Sequence, residues 1–255
     1  MDGWLALITG ASAGIGEASA RRFAAEGADL VLWARREERL KALADELQAA
    51  RGVKVHTRCV DVRDRDAVDD ASARLLSEIG TPDLLLNNAG LASGLSLLHE
   101  GDPEDWDRMI DTNLKGLLNV TRAILPSMVD RGTGHVINIG STAGHQVYPK
   151  GNVYNATKFG VKALTEGMNL DVAGTGVRVS SVDPGFVETE FSVVRFHGDE
   201  ERAESVYDGF EPLSADDVAD VVVFVATRPA HVNVHDVVLL PTAQRNVYVL
   251  DRKAD

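Results

Sequence analysis

One cysteine, Cys59, stands in the whole chain of 255 residues. An intrachain disulfide and a cysteine-built zinc site are therefore both excluded, and no metal-ligand set is assigned. Cys59 lies in the alternating run VKVHTRCV, which reads as a strand with the thiol as a core residue rather than a nucleophile. Basic charge is also short: 26 Lys and Arg against 39 Asp and Glu leave a net charge of −13. That balance argues against nonspecific nucleic-acid binding, but leaves room for a local basic pocket and a small anionic substrate. No stretch reaches the roughly 18 uninterrupted apolar residues of a membrane span. No basic leader precedes the first apolar run, so the reading is a cytoplasmic protein without a membrane partner. Linkers rich in Gly, Ser or Pro are missing, and so is any repeat beyond alternating strand and helix patterns.

What the chain does hold suits a soluble α/β domain: 44% apolar residues, 25% charged residues and 23 glycines. Its length is near the upper end for one domain with one core. Trp4 to Thr9 (WLALIT) reads as a buried strand. TGASAGIG then carries Gly10, Gly14 and Gly16 into a helical pattern from Glu17 to Glu26. Glycines there permit a tight turn and a close backbone approach to a pyrophosphate, while a helix N-terminus offers free N–H groups. The spacing GxxxGxG is a variant of the dinucleotide fingerprint.

Ala28 to Ala34 is the second strand. At its end, where an acidic residue would suit a free ribose, stand Arg35 and Arg36. Two guanidiniums can hold a 2′-phosphate through forked, charge-assisted hydrogen bonds; otherwise they begin the charged face of the helix Glu37 to Ala50. The expectation is NADP(H) over NAD(H), with Arg35 the more important of the pair. Val53 to Val60 is the third strand. Asp61 and Val62 follow it, placed either to meet the adenine or, for Asp61, to cap the helix Arg65 to Ile79. Leu84 to Leu86 runs into NNAG, Asn87 to Gly90. Glu104 to Val129 reads as one or two helical stretches with Asn113 buried among apolar neighbours, where its amide must find partners. Val136 to Ile139 is the fifth strand and Gly176 to Val182 the sixth, broken at Asp183-Pro184-Gly185. Phe186 to Pro212 reads as a flap over the site. Ser214 is placed to cap the helix Ala215 to Ala226, Val234 to Leu240 is the seventh strand, and a tail from Thr242 to Asp255 lies over the surface or a neighbouring subunit. The sum is a single-domain, Rossmann-type, doubly wound parallel sheet of seven strands with helices on both faces.

Between the fifth and sixth strands lies STAGHQVYPKGNVYNATK, Ser141 to Lys158. If Asn152 to Asp171 is helical, Tyr154 and Lys158 share one face a turn apart. A cation beside a phenol favours the phenolate, so the pair can pass a proton where neither residue does so alone. Ser141 can set a hydroxyl beside the same reacting oxygen. In the flap, Arg195 amid apolar residues is a candidate clamp for a substrate carboxylate, with Lys150 and His145 as weaker candidates.

TGASAGIG, NNAG, Asn113, Ser141, YNATK and DPG, in this order, resemble the short-chain dehydrogenase/reductase family over essentially the whole chain. The resemblance implies that Tyr154 is the acid in carbonyl reduction and the base in alcohol oxidation, and that Ser141 binds the substrate oxygen. Lys158 would hold the nicotinamide ribose, and Asn113 the water of a proton relay. The loop Gly10, Ser12, Gly14, Ile15, Gly16 would take the pyrophosphate. Asn87 would meet the adenosine-side ribose region through its backbone, with Ala89 and Gly90 beside it, and Pro184, Gly185, Val187 and Thr189 the nicotinamide amide. Ala13 stands where many NADP-using relatives carry a basic residue, so Arg35 and Arg36, helped by Ser12, must supply that charge. MIDTNLKGL, INIGSTAG, GNVYNATKFGV, TEFSVVRFHGD and PAHVNVHDV look like one group of the family, the NADP-dependent 3-hydroxy acid dehydrogenases. That group is also described as serine or allo-threonine dehydrogenase and malonic semialdehyde reductase. Related sulfoacetaldehyde reductases share much of the pattern, and family members are commonly dimers or tetramers. The rivals are a reductase of neutral ketones or aldehydes and, in a different class, a non-catalytic nucleotide-binding regulator. The joint presence of Ser141, Tyr154 and Lys158 opposes the second.

Overall fold

Each of the apolar runs feeds one strand of a parallel sheet. In the computed structural model, which describes residues 1–253, the strands are β1 (Leu5–Thr9), β2 (Asp29–Ala34), β3 (Val55–Cys59), β4 (Leu84–Asn87), β5 (Gly134–Ile139) and β6 (Val177–Pro184). A two-stranded parallel pair, β7 (Val187–Glu188) and β8 (Leu213–Ser214), brackets the flap, and β9 (Asp236–Leu239) closes the main sheet. The order across the seven strands is β3-β2-β1-β4-β5-β6-β9. Chain direction reverses its progress between β1 and β4, which opens a crevice at the strand C-terminal ends. The central strands are covered on both faces, so β1 and β4 read as near-continuous apolar runs rather than alternating ones.

Successive residues point to opposite layers. Ala6, Ile8, Leu30 and Leu32 pack with one face, over which lie α1 (Gly14–Ala25), α2 (Glu37–Arg51) and α9 (Ala215–Ala226). Leu7, Val31, Trp33 and Leu85 pack with the other, under α3 (Arg65–Glu78), α5 (Leu117–Arg131) and α6 (Asn152–Asp171). Two short helices, α7 (Phe191–Arg195) and α8 (Glu200–Glu204), form the flap, and α4 (Pro103–Ile110) precedes α5. The expected single-domain doubly wound sheet is therefore the observed one.

Local signals fix most boundaries. Asp64 caps α3 by accepting from Ala67 N, and Asp102 caps α4 just before Pro103. Ser214 and Asp217 form a reciprocal capping box at α9. Between α4 and α5 the helix widens into a π turn, Asp111–Gly116, the kind of interruption often found at functional sites. Three expectations need correction. Asp61 does not cap α3, because its carboxylate is chelated by Arg63. β6 runs on through Asp183 to Pro184, since Pro184 pairs at its register with Leu239 of the edge strand. Cys59 is exposed, because β3 is an edge strand, and its thiol faces Arg35 O.

The tail from Thr242 folds back on its own subunit. Gln244 Oε1 accepts from Phe186 N at 3.0 Å, and Arg252 donates to the carbonyls of Val206 and Asp208. The last two residues of that expected tail, 254–255, lie outside the described ones. Among the described residues no helix is long and apolar enough to cross a membrane.

His135 on β5 is 1% exposed, with Nε2 2.8 Å from Ser180 Oγ. Burial, reinforced by the charge of Arg178, pushes its pKa down to about 3. The unfolded chain binds this proton from about pH 6.5 downward, while the folded protein resists it until about 3. Stability is therefore full above pH 6.5 and falls by about 1.4 kcal/mol per pH unit as the medium is acidified. Urea unfolding at pH 6 and pH 4 should show His135→Gln losing less stability over that interval than the parent protein; parallel losses would remove His135 from the acid response.

Candidate active site

At the C-terminal end of β1 the chain turns at Gly10, whose φ is +67°. A side chain there would press on Asn88 and Ala89, and one on Gly16 would lie 2.5 Å from Gly10 O. Only glycine fits both positions. Asn88 Nδ2 donates to Thr9 O at 2.9 Å, and Thr9 Oγ1 accepts from Asn88 N and Ala89 N, so the loops after β1 and β4 are locked together. Helix α1 begins at Gly14 behind Ala13, which supplies no side-chain cap. Its first-turn N–H groups are thus left for an anion. This uncapped 12-residue helix opens into a cleft of about 350 Å³ lined by Gly10, Ser12, Gly14, Ile15, Ala89 and Gly90. The cradle fits a dinucleotide pyrophosphate.

Arg35 and Arg36 line the cleft's far end, facing Asp61 and Val62. Arg36 Nε donates to Ser12 Oγ at 3.1 Å, which joins the end of β2 to the glycine loop. Arg63 holds the Asp61 carboxyl below its usual range. The opposite wall is Pro184, Gly185, Val187 and Thr189, with the Thr189 side chain 3.3 Å from where a Gly14 side chain would begin.

The helix expected over Asn152 to Asp171 has those bounds, and it carries Tyr154 and Lys158 into the cleft beside Ser141. Ser141 lies two residues past the end of β5 and is pinned there: its hydroxyl accepts from Ala143 N at 3.1 Å and donates to Pro184 O at 3.4 Å. Lys158 Nζ donates to Ile139 O at 2.9 Å and lies 6.0 Å from the Tyr154 ring centroid. Burial pushes Lys158 down to about 8, against the attraction of the Asp183 carboxyl. Burial also pushes the Tyr154 phenol above its ordinary value, with Tyr148 adding to the effect. The Ser141 hydroxyl and the Arg195 guanidinium act the other way. The phenolate is thus favoured by these two groups, whereas the Lys158 ammonium is turned to a backbone carbonyl.

Asn113, in the π turn, is 2% exposed. It accepts from Leu91 N and donates to Leu91 O and Thr157 Oγ1, bracketing the loop after β4 against α6. A side chain on Gly90 would meet both Asn113 Oδ1 and Lys158 Nζ, so this bracket adjoins the lysine without touching it.

The flap brings Arg195 beside Tyr154, at a small recess next to the main cleft. Its Nη2 donates to Tyr148 Oη at 2.7 Å, and its Cζ lies 5.5 Å from both the Tyr148 and Tyr154 rings. Phe191 meets the Tyr154 ring edge-on at 5.7 Å. Lys150, in a left-handed conformation (φ 65°), borders a small recess beside Arg195 and Tyr154 rather than the main cleft.

One expected site residue is directed elsewhere. His145 turns from the cleft: Nε2 meets the buried Asp183 carboxylate, and Nδ1 lies 3.2 Å from Lys162 Nζ. With Asp236, His145 and Asp183 bring ligand atoms within 4.8 Å of one another, yet the direct His–Asp contact and the Lys162 ammonium make this a hydrogen-bonded ion network. Asn87, expected to act through its backbone, turns its side chain inward to donate to Thr121 Oγ1 and Asn138 Oδ1; the amide side chain beside the cleft is that of Asn88. Besides Asn88, sequence reading missed Thr112, Glu190, Phe191 and Val194 along the cleft and Tyr148 on Arg195. Tyr148 lay inside the Ser141-to-Lys158 segment, and Glu190 followed the assigned Thr189.

Comparison with known proteins agrees with this geometry. NADP-dependent 3-hydroxy acid dehydrogenase YdfG of Salmonella typhi is 48% identical over 241 residues, covering 94% of this chain and 96% of its own. Sulfoacetaldehyde reductase 2 of Chromohalobacter salexigens is 46% identical over 250 residues, 97% of this chain and 98% of its own. A serine dehydrogenase in its closed form complexed with NADP+ superposes with a TM-score of 0.91 at 44% identity, over 98% of this chain and 100% of that one. The family model for short chain dehydrogenase matches residues 5–199. With the glycine cradle, the Ser–Tyr–Lys constellation and these relatives in agreement, the chain belongs to the short chain dehydrogenase family.

Proposed function

We propose that this protein interconverts a small 3-hydroxy acid and its semialdehyde, with serine and 3-hydroxypropionate/malonic semialdehyde as the substrate type. The protein is an NADP-dependent oxidoreductase that acts on the CH–OH groups of small hydroxy-acid and carbonyl compounds. When bound, the nicotinamide supplies the hydride in reduction and accepts it in oxidation. The rest is the work of the chain. The α1 N-terminus and its glycines hold the pyrophosphate, Arg35 and Arg36 the 2′-phosphate, and Lys158 the ribose hydroxyls. Ser141 donates a hydrogen bond to the substrate oxygen, where charge develops. Tyr154 passes its proton to that oxygen in reduction and recovers it in oxidation, with solvent water as the outer source and sink of that proton; Asn113 braces the loop after β4 against α6 beside Lys158. Because burial keeps the phenol protonated, Tyr154 is ready as the acid of carbonyl reduction at neutral pH.

The observation that carries the acidic substrate is Arg195, whose guanidinium stands 5.5 Å from the Tyr154 ring on a protein of net charge −13. A carboxylate two carbons from the reacting carbon would rest there. A sulfonate offers similar anionic oxygens, so sulfoacetaldehyde is the second reading, favoured by the relative of that name. NADPH consumption at neutral pH should favour malonic semialdehyde and sulfoacetaldehyde over propanal and acetaldehyde, with NADP-linked oxidation of serine and 3-hydroxypropionate in reverse. Equal turnover of the neutral aldehydes, or faster turnover of bulky ketones, would transfer the function to a neutral-carbonyl reductase.

A further inference from the structure

Glu190 follows Thr189 at the start of the flap, between β7 and α7. Its two oxygens are divided between two arginines at the start of α2: Oε2 accepts from Arg36 Nη1, just before the helix, and Oε1 from Arg39 Nη1 in its first turn, each at 2.7 Å. The two guanidiniums hold the Glu190 carboxyl below its usual range. Arg36 is at the same time bonded to Ser12 of the glycine loop, and Ser12, Arg36 and Glu190 line one cleft. One carboxylate therefore spans the mouth of the cofactor site, from the flap to the corner where β2 meets α2.

We propose that Glu190 is an intramolecular stand-in for the cofactor's 2′-phosphate, and so a determinant of how tightly that phosphate is held. The inference rests on the assignment of Arg35 and Arg36 to the phosphate. A phosphate dianion and a carboxylate offer a guanidinium the same chemistry, and both on the Arg36 fork would set two anions against each other. The phosphate displaces Glu190 from Arg36, and the carboxylate keeps Arg39 or turns to solvent. A cofactor without that phosphate leaves the Glu190 pairs in place. The contact also couples the two ends of the cleft, because the next residue, Phe191, packs on Tyr154 and α7 ends in Arg195. Arrival of the phosphate frees the start of the helix that carries the substrate-side arginine.

The test is calorimetric titration of the full chain with adenosine 2′,5′-bisphosphate and with adenosine 5′-monophosphate. Glu190→Gln removes the competing charge at an exposed site while keeping its shape. It should tighten the bisphosphate by about threefold to tenfold, the scale of one or two exposed ion pairs, and leave the monophosphate within about twofold. The gain should shrink as salt is raised, because both pairs are exposed. Arg36→Ala separates the two ideas: it should weaken the bisphosphate selectively. If Arg36→Ala does so but Glu190→Gln leaves the bisphosphate unchanged or weakens both ligands, the competition is wrong and the phosphate assignment stands. If neither variant alters the ratio of the two affinities, the phosphate does not bind at Arg36 and the assignment itself is overturned.

Discussion

Tyr154→Phe should lower kcat for carbonyl reduction by about 10²- to 10⁴-fold, the range of a positioned general acid, with the affinity for NADPH nearly unchanged. The substitution deletes one oxygen and keeps the ring. That ring is packed with Leu91, Ala92, Met109 and Ala143 and against the edge of Phe191, so the cavity left is far smaller than a methyl group. Fluorescence titration of NADPH together with single-turnover NADPH oxidation would separate binding from chemistry. Loss of both together would mean that the phenol holds the cofactor rather than the proton. The pH profile carries the same argument. Burial keeps the phenol protonated across the neutral range, so the acid is available throughout. Lys158, pushed down to about 8, is charged below that pH and loses its charge above it. Reduction should hold level to about pH 7 and decline through 8 as the lysine is neutralised. A profile that stayed level through pH 9 would separate the lysine charge from turnover.

The sheet and its sequence of helices were legible because both faces are covered, and apolar runs without alternation have few other meanings. Helix α9 was read at its observed bounds from Ser214, whose capping box is a local signal, and the bounds supposed for α6 are the observed ones. Tyr154, Lys158 and Ser141 were legible as a constellation, since a helix turn and a strand end fix their meeting place. What a side chain meets from a distant strand was not legible. His145 stood in the active-site loop, but the carboxylate that claims it, Asp183, arrives from β6. Asn87 and Asn88 are neighbours on an extended segment and must point to opposite sides, and sequence could not say which faced the cleft. Period two settles a pair only when its neighbours differ in polarity, and these do not. Cys59 sat in a strand-like run, but no residue in that run announces that β3 is the sheet's edge. Glu190 was hidden for the converse reason: its partners, Arg36 and Arg39, lie more than 150 positions upstream.

Arg195→Ala should raise KM for malonic semialdehyde by roughly 10- to 100-fold and leave KM for propanal within about threefold. The first figure follows from losing hydrogen bonds to a charged partner, about 1.5–3 kcal/mol in total. The guanidinium is positioned by its own framework: Tyr148 Oη accepts from Nη2 at 2.7 Å, while Gly94 N donates to the Arg195 carbonyl at 2.9 Å. The flap helix thus holds the charge 5.5 Å from the Tyr154 ring, where the carboxylate of the proposed substrate would meet it. A second effect is shared by all substrates. Arg195 opposes the rise in the Tyr154 pKa, so its removal makes the phenol a weaker acid and should lower kcat modestly for neutral and acidic aldehydes alike. The two effects separate in the kinetics, because a uniform kcat change is electrostatic at Tyr154 and a KM change confined to the acidic substrate is recognition. Arg195→Lys sharpens the distinction. It keeps a positive charge near the phenol but has no planar fork, so kcat should recover toward the parent value while KM for the acidic substrate stays high. Equal KM changes for semialdehyde and propanal would leave Arg195 a role in shaping the flap and none in binding the acid.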